Sequence, residues 1–221
     1  MNTNDVSKIL ESEKEKYIKE KIKNYMSKGF NKETAINKAN QSWRAYVGAR
    51  IQEIIFEILK SALENQGLKL TTDKELTGKS LSEELEQVKR LLAIDYGDYF
   101  FLPDADIIVY KITEERGSKI IKILAIISVK NSFRERGFET AYWKKKLSES
   151  KITSNIKVFM ATPDKDDEIS FRVSNGTPRK MRIILEYELD GIYLLKTNFE
   201  KTNKTKHFDE IINDILKLVS K

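Results

Sequence analysis

Leu102-Pro103-Asp104-Ala105-Asp106-Ile107-Ile108-Val109-Tyr110, followed by the turn Glu115-Arg116-Gly117-Ser118 and the run Ile120 to Val129 with Lys130 beyond it, decides the fold of this 221-residue chain. The first run is rich in β-branched and aromatic residues and reads as a strand. The second is almost continuously apolar, the pattern of a strand buried on both faces and so central in a sheet. Strand alternation puts Asp104, Asp106 and Ile108 on one face, while Ser128 and Lys130 share a face of the neighbouring strand. Two acids and a lysine are therefore expected to meet at the ends of adjacent strands.

Downstream, Phe138 to Leu147 reads as a helix and Ile156 to Ala161 as another buried strand, ending at Thr162-Pro163-Asp164. Met181 to Leu189 and Ile192 to Leu195 are expected to be two strands joined at Asp190-Gly191, a dipeptide favoured in type I′ hairpins. An amphipathic helix, Phe208 to Val219, follows. Upstream, residues 4 to 28 read as a charged helix closed by Gly29. Asn31 then caps a longer helix that runs to Gly67, with Gly48 marking a break or a close contact. Leu68 to Thr71 is a short strand, and Ser80-Leu81-Ser82-Glu83 fits a capping box that opens a helix to Leu92. Extended structure is expected to resume at Tyr99, Phe100 and Phe101. This order describes an α/β fold, a central mixed β-sheet flanked by helices, with residues 1–66 as an N-terminal helical extension and 67–221 as the core.

Composition removes much chemistry. With no cysteine there is no disulfide, no thiolate metal site and no Cys nucleophile, and the single histidine, His207, leaves no two-His metal motif. His207 is expected on the exposed first turn of the last helix. Thr77-Gly78-Lys79-Ser80 resembles the tail of a phosphate-binding loop, but Asp73 stands where its first glycine is required. Carboxylates and lysines remain as the actors. Forty Lys and Arg against 34 Asp and Glu give a net charge of +6, compatible with a nucleic-acid partner. No apolar run spans a membrane and the start lacks a secretory pattern, so a cytoplasmic location is expected.

Lys130 is followed by Asn131-Ser132-Phe133-Arg134-Glu135-Arg136-Gly137-Phe138-Glu139. Pro103-Asp104 with Ser128-Val129-Lys130 resembles the active site of the PD-(D/E)XK nuclease superfamily. More narrowly, Ser-x-Lys-x-x-x-Arg-Glu-Arg resembles type II restriction endonucleases that read CCGG, CCNGG or CCWGG sites. In that group a serine replaces the acid before the lysine and a glutamate of the following helix takes over its role, which the resemblance assigns to Ser128 and Glu139. The group usually places that glutamate where this chain has Trp143, about one helical turn further on. The motif aspartate is Asp104 or Asp106, with Asp104 favoured by its Pro-Asp-x-x-apolar setting. A further acid on an early helix is expected at Glu53, with Gln52 and Glu57 as alternatives.

The resemblance implies a type II site-specific deoxyribonuclease that needs Mg²⁺, held by Asp104, Asp106 and Glu139, with Lys130 beside the attacking water. Arg134, Glu135 and Arg136 would read C:G pairs, since Arg makes bidentate bonds to guanine and Glu accepts from cytosine N4. The partner is double-stranded DNA, and a palindromic site implies a homodimer. Lys144-Lys145-Lys146 and the N-terminal helices are candidates for phosphate contacts, and those helices also for the dimer interface. A structure-specific or repair nuclease of the same fold and a non-catalytic basic DNA-binding protein are the alternatives.

Overall fold

Helix α1 (Thr3–Ser27) ends where Gly29 takes φ +88°, a left-handed turn that costs glycine nothing. Asn31 then caps α2 (Lys32–Glu64), its Oδ1 accepting the Thr34 N–H at 2.8 Å. The helix passes through Gly48 without a break, and a Cβ there would meet nothing within 4 Å, so the expected break or close contact is absent. The computed structural model describes residues 3–131 and 136–219. The chain divides into two compact units, Met1–Ile55 and Phe56–Lys221, and the division falls inside α2. In the first unit the two helices are tied by Tyr17 stacked on Tyr46 (centroids 4.4 Å apart), by Tyr46 Oη donating to Glu13, and by Arg50 reaching Glu13.

The second unit is built on a sheet. Strand β1 (Lys69–Thr71) leads into the short helix α3 (Asp73–Leu76), whose N-terminus is a capping box between Thr72 and Glu75. The box expected at Ser80 and Glu83 does not form. Ser82 is the N-cap of α4 (Glu83–Leu92), its Oγ accepting from the Leu85 N–H, so Glu83 already lies in the first turn. Next comes a separate small hairpin, β2 (Ile94–Asp95) against β3 (Phe100–Phe101), so Phe100 and Phe101 do not belong to the main sheet. The long hairpin is β4 (Ile107–Glu115) and β5 (Ser118–Val129). Its two turn residues, Arg116 and Gly117, have φ of 52° and 76°, the positive pair that a type I′ turn requires.

After β5 come α5 (Arg136–Ser148), β6 (Lys157–Thr162), α6 (Lys180–Glu188), β7 (Gly191–Leu194), β8 (Thr205–His207), a 3₁₀ turn (Phe208–Glu210) and α7 (Ile211–Leu216). Among the described residues the main sheet has six strands in the order β1-β4-β5-β6-β7-β8. The β1, β4 and β5 pairings are antiparallel and the β5-β6-β7-β8 pairings parallel, so the sheet is mixed and β5 sits inside it. Ile123 to Val129 are all buried, as a strand covered on both faces must be. No helix among the described residues is long and apolar enough to cross a membrane. His207 is half-buried against the Phe199 ring, not exposed.

The segment expected as a strand, Met181 to Leu189, is the helix α6, and Asp190-Gly191 is no hairpin. Met181, Leu185 and Leu189 are buried at a spacing of four, while Ile183 and Tyr187 are exposed, the helical rather than the alternating pattern. Parallel β6 and β7 also require a crossover, which a two-residue turn cannot supply. Asp190 instead straps the crossovers together, accepting from Lys144 Nζ at 2.6 Å, Val158 N–H at 2.9 Å and Lys157 Nζ at 3.0 Å. Burial pushes its carboxyl up, but these donors outweigh burial and hold it below the usual range. Its stabilisation is therefore present above the unfolded pKa and lost as pH falls through the lower folded value. Asp190→Ala strands the mostly covered Lys144 ammonium and is expected to cost about 2–4 kcal/mol. Urea melts at neutral pH test this, and an unchanged midpoint would rule out the strap.

Candidate active site

The β4–β5 pairing brings the acids and the lysine together. Ile107 pairs with Ile127 and Ile108 with Ile126, so the segment before β4 runs beside the end of β5. Asp106 is buried there, and its Oδ2 accepts the Val129 N–H at 2.6 Å. Asp104 stays a third exposed, and its Oδ2 accepts from Lys130 Nζ at 2.6 Å. Lys130 is held from the other side as well, its N–H donating to the Ala161 carbonyl of β6 at 3.1 Å. Only 7% of its side chain is exposed, so the ammonium is fixed on the open carboxylate by covered methylenes.

The electrostatics set the two acids apart. Burial pushes the Asp106 carboxyl up to about 6, against the pull of Lys130 and the Val129 N–H, with the charges of Asp104 and Asp73 adding to the rise. Asp73, the first residue of α3, is thus an acid near this site that the strand and turn motifs do not point to. The Thr72-x-x-Glu75 capping pattern around it was the available signal.

Ser128 is buried beneath α5, where Thr140 Oγ1 donates to its Oγ at 3.2 Å. Glu139, the residue before Thr140, is exposed in the first turn of α5. Among the described residues no three acidic or histidine side chains converge closely enough to hold a metal, so Glu139 does not join Asp104 and Asp106 in a three-acid cluster. The donor set of Asp104 and Asp106 nevertheless fits Mg²⁺, which takes one or two carboxylates and completes its shell with water and substrate phosphate. Glu53 lies in the first unit, ion-paired with Arg50 at 2.6 Å. Arg134 and Glu135 lie outside the described residues, and Arg136 is the first residue of α5. Lys144 is engaged by Asp190 and Lys146 by Glu149, while Lys145 is the exposed cation of that run.

A scan against known families matches residues 84–218 to the model described as BsaWI restriction endonuclease type 2. That match spans more than half of the chain. The chain belongs to the BsaWI family of type II restriction endonucleases. As a member of that family it is a site-specific deoxyribonuclease. A curated relative from Methanocaldococcus jannaschii, named "Putative type II restriction enzyme MjaVIP", is 61% identical over the whole of this chain and 96% of its own. A second, from Helicobacter pylori, named "Probable type II restriction enzyme HpyAORF263P", is 47% identical over 72% of this chain and 80% of its own. Among solved structures, the BsaWI–DNA complex, described as pre-specific, superposes with a TM-score of 0.52 at 12% identity. That match covers 85% of this chain and 66% of BsaWI, and at such identity it speaks for the fold alone.

Proposed function

We propose that this family member is an Mg²⁺-dependent type II restriction endonuclease of the PD-(D/E)XK kind, a cytoplasmic homodimer that hydrolyses duplex DNA at a short palindrome containing C:G pairs. The observation that carries the proposal is the Lys130 ammonium seated on the Asp104 carboxylate at 2.6 Å, at the mouth of a mixed sheet. Asp104 presents a partly exposed carboxylate, Asp106 adds a second, buried one two residues on, and Glu139 is the acid that the following helix can supply. Bound there, Mg²⁺ would offset the phosphate charge and lower the pKa of a bound water. Lys130 carries three donors, one of them on Asp104. Its ammonium orients the attacking water and bonds to the phosphoryl oxygen on which charge grows.

Arg134, Glu135 and Arg136 supply base reading. Affinity comes from phosphate contacts, with Lys145 and the exposed lysines of α1 (Lys14, Lys16, Lys19, Lys23) as candidates in the core and in the 1–66 region. The test is incubation of the purified protein with a plasmid of known sequence, with Mg²⁺ or with EDTA. Discrete fragments are expected with Mg²⁺ and intact plasmid with EDTA, and mapping the fragment ends gives the site. A smear would point to a nuclease without base reading. Plasmid that is bound but stays intact in Mg²⁺ would end the catalytic reading.

A further inference from the structure

Five aromatic side chains make one exposed face on the second unit. Tyr99 is 67% exposed, Phe101 53%, Tyr142 46%, Phe138 45% and Tyr96 36%. The β2–β3 hairpin is pinned to α5 by Tyr96 Oη and Tyr142 Oη at 2.7 Å, and the Tyr96 and Phe101 rings meet edge to face. Tyr99 packs beside Phe101, and Phe138 lies one helical turn before Tyr142 on α5. A soluble chain rarely leaves so much contiguous aromatic surface in water.

We propose that this face is the twofold interface with a second copy of the chain, an inference that rests on the reading as a palindrome-cutting enzyme. The helix that carries it, α5, opens at Arg136, the last residue of the base-reading cluster. In a short palindrome the two sets of readers lie within a few base-pair steps of the axis, at about 3.4 Å per step. That spacing is comparable to the roughly 8–10 Å between packed helices, so two α5 helices flanking the axis become neighbours. Five such side chains of about 150–250 Å² each, half exposed, supply about half to three quarters of the roughly 800 Å² per partner of a standard interface, and their polar rim can add to it. The charges also favour protein over DNA. Asp95 and Asp98 sit in the hairpin and would repel phosphates, while the rim carries Lys146 paired with Glu149 at 2.9 Å, one charge of each sign. An isologous contact can use such a rim on both copies.

Sedimentation velocity of the full chain without DNA tests the assignment. The wild type is expected at twice its 25.7 kDa chain mass. Tyr99→Arg and Tyr142→Arg are expected to weaken the dimer by about 100-fold each. Tyr187→Arg, at the 85% exposed position on α6, is expected to leave it intact. Tyr99 sits at a solvent-facing turn, so its variant folds even if that at Tyr142 does not, and circular dichroism verifies both. A monomeric wild type, or arginine variants that dimerise as tightly as wild type, would overturn the assignment. Variants that stay dimeric but lose plasmid binding would overturn it too, making the face a DNA surface. Plasmid cleavage by the wild type, read separately, reports whether the nuclease reading itself stands.

Discussion

Replacing Lys130 with alanine is expected to slow single-turnover cleavage by about 10²–10³-fold, the usual cost of one preorganised donor to a developing oxyanion. DNA affinity is expected to change by less than about tenfold, because binding is spread over many phosphate contacts and this ammonium is one charge among them. The asymmetry follows from where the group sits. A side chain only 7% exposed and already bonded to Asp104 has little reach for distant phosphates, and on the proposed reading its role is confined to the phosphate being cleaved. Lys130→Met keeps the covered stem and separates lost charge from lost packing. Both variants leave Asp104, a third exposed, to solvent, so the folding cost stays modest. Cleavage and filter binding measured on the same preparations decide the matter. Equal losses in rate and affinity would make Lys130 a phosphate anchor, and an unchanged rate would remove it from the chemistry.

The meeting of Asp104 with Lys130 was legible in the sequence because strand alternation and a short turn fix which residues face each other across a hairpin. The same rule could not show that Asp106 caps the end of β5. That depends on the Val129 N–H reaching for an acceptor from the segment before β4, a matter of three-dimensional closure rather than spacing. Lys144 is a candidate phosphate contact by sequence alone because its partner, Asp190, lies 46 residues away and no local pattern links them. Asp190-Gly191 carries a strong local turn signal. The tertiary demand of parallel strands for a crossover overrides it. Ser80 and Ser82 both suit an N-cap, and composition alone does not choose between them. Glu53 and Glu139 came from a resemblance, which carries roles but no coordinates.

Asp106→Asn is expected to stabilise the protein while impairing it. Burial raises the Asp106 carboxyl from 3.8 to about 6, so between those values the folded protein keeps a proton that the unfolded chain has released. Stability from this group is full below the unfolded pKa, falls as pH rises through the window, and stays lost above it. Asparagine is neutral throughout and its Oδ1 can still accept the Val129 N–H. The variant should therefore gain about 1–3 kcal/mol over wild type at pH 8, shrinking towards zero near pH 4. Urea melts at the two values read this directly, and a variant no more stable than wild type at pH 8 would show that the buried charge carries no penalty. Cleavage is expected to fall at the same time, because the carboxylate held at this cost is one of the two that suit Mg²⁺. Raising Mg²⁺ should restore part of the rate in Asp106→Asn, where Asp104 is intact, and none in Lys130→Ala, where the acids remain but the donor is gone. Recovery in both or in neither would break this division of labour between the acids and the lysine.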